Sequence, residues 1–316
     1  MKSLSLATFI LALAACNAQA QPPNIVLVIA DDLAVRDLSL AMPKVSELAE
    51  QAAVFEGAFA AYPLCGPSRI SLLTGTLPRT HGFYTNDPTG FDASDTIATR
   101  LHGAGYATTV VGKLLNKHWK ATNLESGWDT FLPFKAHDDF GTAQSDMLAD
   151  QARACMDGPS PHFCYIGAVA PHGPLGGPDR CQSRPVPEKP EAVTEKRWAQ
   201  RMSALCGLDD MVASIVEARG PDAYVIFTGD NGWIYAENHR NGKQELVLDA
   251  AQVPLIVWGP GVVPARRREM VSLIDVSATV LRLGNVSRAG MEGRSILPLL
   301  QDSQERWGGT LILEGR

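Results

Sequence analysis

Short apolar runs that stop abruptly at polar residues are the feature that most constrains the fold of this chain. Five such runs, each rich in Val, Ile or Leu, cover residues 24–30, 107–111, 162–169, 223–227 and 253–258. Unbroken apolarity over this length predicts strands that are buried on both faces, as in a parallel sheet.

Helix-like stretches separate these runs. They lie at about 43–52, 67–74, 93–104, 142–155, 196–218 and 275–283. Strands that alternate with helices predict an α/β fold, with a mostly parallel central sheet and helices on both faces. The basic run Arg266–Arg268 predicts a solvated strand edge or turn. One domain is the simplest architecture for such a chain.

Residues 1–20 predict an export signal. Lys2 precedes an apolar stretch that ends in small residues, which is typical of a signal peptide. Leu13–Cys16 is similar to a bacterial lipobox, with Cys16 as the lipid anchor, whereas Ala18–Ala20 fits cleavage that releases a soluble chain. Either site predicts an exported protein, in the bacterial periplasm or on the outer membrane as a lipoprotein. The domain is then expected over residues 21–316.

The net charge and the cysteines indicate which partners and which disulfides to expect. Lys and Arg number 28 against 34 Asp and Glu, a net charge of −6, which argues against a nucleic-acid partner. In an oxidising compartment Cys155, Cys164, Cys181 and Cys206 allow three disulfide pairings. Their close spacings favour Cys155 with Cys164 and Cys181 with Cys206.

Polar side chains follow four of the predicted strands. These are Asp31 and Asp32, then Lys113, then His172, and finally Asp230 with Asn231. Ligands of open α/β sheets lie outside the carboxyl ends of the strands, so we expect these side chains to share a site. The carboxylate and amide oxygens suit a hard cation, Ca²⁺ or Mg²⁺, better than zinc.

The segment Cys65–Arg69, with the sequence C-G-P-S-R, is the most specific motif in the chain, and Thr74-Gly75 follows it. Pro67 is tolerated at the start of a helix, which places Cys65 at a helix N-terminus. Such a cysteine can be a low-pKa thiolate nucleophile or a structural residue in a turn. Neither interpretation accounts for the Pro and Arg that follow it.

These motifs resemble the sulfatase family, within the alkaline-phosphatase-like superfamily. The signature of that family is C-x-P-S-R followed by T-G. Seven motifs match in the family's order and span about residues 22–300; they lie at 24–32, 65–69, 111–113, 170–172, 228–232, 242–243 and 253–261. The form G-K-L-L-N at 112–116 is similar to that of glucosamine-6-sulfatases and related glycosaminoglycan sulfatases.

The resemblance implies hydrolysis of sulfate esters of a small molecule or glycan. A formylglycine-generating enzyme would convert Cys65 to formylglycine, whose hydrate is the nucleophile. The implied cation is Ca²⁺, with Mg²⁺ or Mn²⁺ as alternatives, and its ligands would be Asp31, Asp32, residue 65, Asp230 and Asn231. Arg69 would hold the hydrate and the carboxylates, Lys113 and Lys243 would neutralise the sulfate, and His172 would protonate the leaving alcohol.

Two other functions fit the same residues. Phosphodiesterases and phosphonate monoester hydrolases of the superfamily share the metal carboxylates, and a non-catalytic lipoprotein could bind sulfated glycans through the same pocket. Family members usually continue into a C-terminal subdomain with a small antiparallel sheet. Because this chain ends at residue 316, we expect that subdomain to be missing and residues 307–316 to form a strand without its usual neighbours.

Overall fold

The computed structural model describes residues 21–134, 141–173, 176–191, 193–235, 242–302, 307–308 and 310–315, and every structural statement below concerns these residues. Residues 1–20, with both cleavage sites and Cys16, lie outside them, so the export signal stays a prediction. No helix within the described ranges is both long and apolar enough to cross a membrane.

An eight-stranded sheet forms the centre of the molecule. Its strands are β1 (Asn24–Asp31), β2 (Ala53–Phe59), β3 (Ala107–Gly112), β4 (Thr130–Pro133), β5 (His162–Pro171), β6 (Ala223–Gly229), β7 (Leu255–Trp258) and β8 (Ala265–Ser272). Their order across the sheet is β4-β3-β5-β1-β6-β7-β2-β8. All neighbours pair in parallel except β7, which is antiparallel to both β6 and β2.

Helices cover both faces of the sheet. They are α1 (Val35–Ala41), α2 (Pro43–Leu48), α3 (Cys65–Thr74), α4 (Pro78–His81), α5 (Ile97–Gly103), α6 (Gln144–Met156), α7 (Asp179–Gln182), α8 (Glu195–Ala218), α9 (Leu248–Ala251), α10 (Leu273–Leu283) and α11 (Leu297–Leu300). Alternate residues of β1 enter different cores: Leu27 packs in the core that includes α3, α5 and α10, and Val28 packs in the core that includes α2, α6 and α8. Both faces of the strand are therefore buried, as its unbroken apolar run predicts.

The α/β class and the mostly parallel sheet are confirmed, with two differences. The run at 253–258 forms β7, which is antiparallel to both of its neighbours. Its carboxyl end therefore lies opposite to the carboxyl ends of the other four predicted strands. No apolar run predicted β2, β4 or β8, because β4 and β8 are half-exposed and β2 carries an exposed Glu56. The basic run Arg266–Arg268, predicted as a strand edge or a turn, lies on β8, an edge strand.

The expectation of a strand at the end of the chain is wrong for residues 310–315, which contain no regular secondary structure. This segment is held instead by contacts near α4. The amide of Glu314 donates to the carbonyl of Ala61 at 3.0 Å, and its side chain accepts from the amide of Arg79 at 3.0 Å. These two hydrogen bonds attach the segment to the molecule at Glu314, outside the sheet.

Two disulfides tie helices to neighbouring elements. Cys155 of α6 pairs with Cys164 of β5, and Cys181 of α7 pairs with Cys206 of α8. This is the pairing that the short spacings favour. Both bonds lie on the α8 side of the sheet.

Two glycines let β3 and β5 approach each other beside Lys113. Gly112 has a φ of +88°, a conformation that favours glycine, and the amide of Lys113 donates to the carbonyl of Gly167 at 2.7 Å. A Cβ on Gly167 would lie 1.9 Å from the carbonyl oxygen of Lys113. Both positions therefore need glycine if Lys113 is to keep its place.

We expect Gly167→Ala to lower the free energy of unfolding by about 2–3 kcal/mol or more, because the clash is with backbone that cannot rotate away. Gly103→Ala is the matched control: no atom lies within 4 Å of the added methyl, and alanine is favoured in a helix. Urea unfolding of both variants measures the difference. Equal stability of the two would contradict the close approach.

Candidate active site

The carboxyl ends of four adjacent parallel strands bring the predicted site residues together. Strand β1 lies between β5 and β6, with Ala30 level with Gly229 and Asp31 level with Pro171. On the far side of β5, Gly112 is level with Gly167. The polar residues that follow these strands therefore emerge along one edge, as the parallel arrangement requires.

Cys65 reaches this edge from the first position of α3. The preceding residue, Leu64, caps the helix in an extended conformation. A Cβ on Gly66 would lie 2.8 Å from the carbonyl oxygen of Thr85, and the amide of Gly66 donates to Asn86 Oδ1 at 2.7 Å. The glycine of the C-G-P-S-R motif thus lets the helix start pack against this loop and directs Cys65, which is only 1% exposed, inward.

A cluster of buried acidic groups surrounds the sulfur. One ligand atom each from Asp31, Asp32, Cys65 and Asp230 lies within 4.8 Å of the others. The Cys65 Sγ is 3.2 Å from Asp31 Oδ1 and 3.8 Å from Asp32 Oδ1. Asp32 adopts a φ of +64°, a left-handed conformation that Asp tolerates better than most residues, and its amide donates to Asp230 Oδ1 at 3.1 Å.

Each carboxylate of the cluster contacts a cationic side chain. Arg69 Nε donates to Asp230 Oδ2 at 2.7 Å, Lys113 Nζ contacts Asp31, and Lys243 Nζ contacts Asp32. Lys243 Nζ also lies 2.6 Å from Cys65 Sγ. Because buried charges are costly unless they are paired, the cations explain how three carboxylates can be buried together.

Two buried oxygens at the same place have no hydrogen-bond donor among the described residues. These are Asp32 Oδ2 and Asn231 Oδ1. The amide nitrogen of Asn231 donates to Asp32 Oδ1 at 2.8 Å, which directs its oxygen elsewhere. Unsatisfied buried oxygens are rare, and a hard cation is a suitable partner for them. The residues present therefore fit a divalent cation.

His172 borders the cluster at the end of β5. Its Nδ1 lies 2.6 Å from the carbonyl oxygen of Gly173, and because a carbonyl only accepts, Nδ1 carries a hydrogen. Nε2 is 3.7 Å from Asp32 Oδ2. The ring thus presents Nε2 to the site. When the imidazole is protonated, Nε2 carries a hydrogen that it can donate.

Comparison with known proteins identifies the family. The sulfatase family model matches residues 23–286, which is most of the chain. The chain belongs to the sulfatase family. It is 24% identical over 375 aligned positions to the N-acetylglucosamine-6-sulfatase of Capra hircus, covering 92% of this chain and 66% of that protein. It is 26% identical to the N-acetylgalactosamine-6-sulfatase of Sus scrofa, covering 89% and 66%. The chain thus spans about two thirds of the length of these relatives.

Solved structures share the fold of this chain. One, solved in complex with its substrate D-glucosamine-2-N,6-O-disulfate, has a TM-score of 0.80 at 16% identity and covers 91% of this chain and 82% of that one. A phosphonate monoester hydrolase from Silicibacter pomeroyi has a TM-score of 0.75 at 18% identity, covering 90% and 77%. Both likenesses confirm the fold.

The thiolate interpretation of Cys65 is not favoured in this structure. Burial and the nearby charge of Asp31 raise the pKa of the Cys65 thiol well above its usual value, although the residue begins a helix. Burial alone would also raise the pKa of Asp31, but the charges of Lys113 and His172 hold it well below its usual range. The unmodified side chain is therefore a neutral thiol beside an ionised carboxylate.

The sequence analysis missed a buried network behind the site. Arg201 of α8 donates to Asp37 Oδ2 at 2.6 Å, to the carbonyl of Asp32 at 2.7 Å and to the carbonyl of Pro171 at 3.3 Å. Tyr235 contacts both Arg201 and Asp37. Arg201 thus connects the backbone of a cluster carboxylate with the residue before His172. An arginine among buried apolar positions of a helix was the signal available for it.

We expect Arg201→Met to destabilise the protein by about 3–5 kcal/mol, because it leaves Asp37, which is 0% exposed, buried without its charge partner. Arg219→Met at the end of the same helix should cost less than about 1 kcal/mol. The double variant Arg201→Met with Asp37→Asn should lose less free energy of unfolding than the sum of the losses in the two single variants. Urea unfolding at pH 7 measures these three variants and Asp37→Asn alone; additive losses would argue against direct pairing.

Proposed function

We propose that this chain hydrolyses sulfate esters with residue 65 in its formylglycine form. The observation that carries the proposal is the position of Cys65 Sγ, between the carboxylates of Asp31 and Asp32 and the ammonium of Lys243. A hydrate at residue 65 would lie among groups that can hold it as an anion and among cations that can attract a sulfate. The sulfatase family match supports the same activity.

The cations have a role in both binding and chemistry. Negative charge moves onto the departing oxygen as the sulfur–oxygen bond to the alcohol breaks, so fixed positive groups stabilise the transition state. Lys113 and Lys243 already lie at the cluster, held by the carboxylates that they contact. Arg69 is completely buried and donates to Asp230 and to the carbonyl of Lys113, so it would keep both in position.

The reaction needs one proton donor. One hydroxyl of the hydrate loses its proton to the carboxylate of Asp31, whose Oδ1 lies 3.2 Å from Cys65 Sγ, and its oxygen attacks the sulfur while His172 Nε2 gives its proton to the alcohol that leaves. The neutral His172 ring then accepts the proton of the second hydroxyl, the carbon–oxygen bond to sulfate breaks, and the restored aldehyde takes up water to form the hydrate again. When bound, a divalent cation would favour ionisation of the hydrate and polarise a sulfate oxygen; the residues that would hold it, apart from residue 65, are Asp31, Asp32, Asp230 and Asn231.

We propose a sulfated sugar as the substrate class and Ca²⁺ as the cation. The names of the relatives support the sugar: N-acetylglucosamine-6-sulfatase, N-acetylgalactosamine-6-sulfatase, and a structure with a disulfated glucosamine. The G-K-L-L-N form at 112–116 points in the same direction. The oxygen ligand set supports Ca²⁺, with Mg²⁺ or Mn²⁺ as substitutes.

Phosphonate monoester hydrolysis is the second candidate. Two phosphonate monoester hydrolases, from Silicibacter pomeroyi and Agrobacterium radiobacter, share the fold at TM-scores of 0.75 and 0.74. Parallel assays with 4-nitrophenyl sulfate and 4-nitrophenyl phenylphosphonate separate the two functions. A higher kcat/KM for the phosphonate would favour the second candidate.

We also propose that the protein is exported, that residues 21–316 form one catalytic domain, and that a formylglycine-generating enzyme matures Cys65. The two disulfides support an oxidising compartment. Labelling with palmitate, followed by a Cys16→Ser variant, distinguishes a lipoprotein from a chain released after Ala20.

We expect Cys65→Ala to abolish turnover of 4-nitrophenyl sulfate, to below about 10⁻³ of the matured protein, because alanine carries no geminal hydroxyl. Mass spectrometry of the peptide that contains residue 65 should show the mass of formylglycine in the active protein. Thermal melts of both proteins control for folding. Activity retained by the alanine variant would contradict the mechanism.

We expect Ca²⁺ to stabilise the protein after treatment with a chelator, by about 2.7 kcal/mol at a concentration of 100 times its Kd. Asn231→Ala should lose most of this gain, because it removes a candidate ligand and leaves the three charge pairs intact. Thermal melts with and without CaCl₂ measure the shift. The same shift in Asn231→Ala as in the wild type would show that the cation binds elsewhere.

A further inference from the structure

A cavity of about 620 Å³ opens beside His172, outside the carboxylate cluster. Its volume falls within the range of about 300–1,000 Å³ that is typical of small-molecule sites. The first turns of α8 form one wall, and the loop after β6 forms another. His172 Nε2 lies 3.7 Å from Asp32 Oδ2, and the same residue lines this cavity, so the cavity and the cluster form neighbouring parts of one site.

The aromatic wall of the cavity is rigidly placed. Trp233 lies two residues after Asn231, and its neighbours on both sides are anchored: the amide of Gly232 donates to the carbonyl of Ala250 at 2.8 Å, and the amide of Ile234 donates to that of Gly242 at 2.7 Å. The ring of Trp233 is only partly buried and lines the cavity. An indole face in this position can pack against the apolar face of a sugar ring.

The charged side chains among the described lining residues of the cavity are all cationic. Lys196 and Arg197 line it and are exposed, whereas the third cation, Arg201, is paired with Asp37. The described lining residues include no Asp or Glu. The chain as a whole has a net charge of −6, so a lining with cations and without carboxylates is a local exception and favours an anionic ligand.

We propose that this cavity is a subsite for the leaving-group side of the substrate, in which a sugar ring packs on Trp233 and a second anionic substituent binds Lys196 and Arg197. The inference rests on the proposed function, because His172 is assigned there to the leaving alcohol and the leaving group must therefore lie on its side. It deepens that function by naming the substrate class: a saccharide with another carboxylate or sulfate besides the ester that is cleaved.

Binding to the Cys65→Ala protein tests the subsite without turnover. Calorimetry compares glucosamine 2-N,6-O-disulfate with N-acetylglucosamine 6-sulfate, which lacks the second anionic group. We expect the disulfate to bind about tenfold more tightly, since each added ion pair at an exposed site contributes a few-fold in affinity. Adding Lys196→Gln and Arg197→Gln should remove this preference.

Arg266→Gln with Arg268→Gln is the matched control, because it also removes two positive charges, but from β8, the strand at the far edge of the sheet. The control should keep the tenfold preference. Trp233→Ala should lower the affinity for both sugars about tenfold. If that variant does not fold, the variants of Lys196 and Arg197 still decide the test.

Three results would overturn the subsite. The first is no binding of either sugar, and the second is a preference for the disulfate that changes by less than twofold in Lys196→Gln with Arg197→Gln. The third is an equal loss of that preference in the control variant. Hydrolysis of 4-nitrophenyl sulfate by the matured wild-type protein is measured separately. Failure of that reaction would contradict the proposed function, whereas failure of the binding preference alone would contradict only the subsite.

Discussion

The burial of three carboxylates within a few ångströms of one another is the constraint on which the rest of this structure depends. Ionised groups are costly to remove from water, and they are stable in the protein interior only beside a group of opposite charge. Each carboxylate meets that condition with a cation from a different part of the chain: Lys113 after β3, Lys243 before α9, and Arg69 from α3. These partners lie between 82 and 211 residues away in sequence, so the site depends on contacts between distant parts of the chain.

The sheet satisfies this constraint through its order of strands. Placing β1 between β5 and β6, with β3 beyond β5, brings four carboxyl ends to one edge. The approach of β3 to β5 depends on Gly112 and Gly167, because a side chain at Gly167 would meet the backbone of Lys113. The packing of two strands therefore sets the position of a charged group in the site.

Arg201 connects the site with the cavity beside it. Its guanidinium donates to the carbonyls of Asp32 and Pro171, and its charge is balanced by Asp37. It also lies 5.6 Å from the ring centroid of Trp233. One buried side chain thus holds the backbone at a candidate cation ligand, at the residue before His172 and beside the aromatic wall of the proposed subsite. Substrate binding and proton donation would share one rigid support.

The sequence alone determined the features that depend on local pattern. Unbroken apolar runs identified the buried strands, the polar residues after them identified the candidate site, and the Cys65–Arg69 motif identified the start of α3. The direction of β7, the half-exposed strands β4 and β8, and the network of Arg201 with Asp37 and Tyr235 were decided only by the tertiary structure. The physical reason is that a pattern records whether a residue is buried, whereas a charge pair between residues 37 and 201 depends on which elements meet across the fold. The end of the chain shows the same limit: its apolar residues predicted a strand, but contacts with Ala61 and Arg79 hold residues 310–315 outside the sheet.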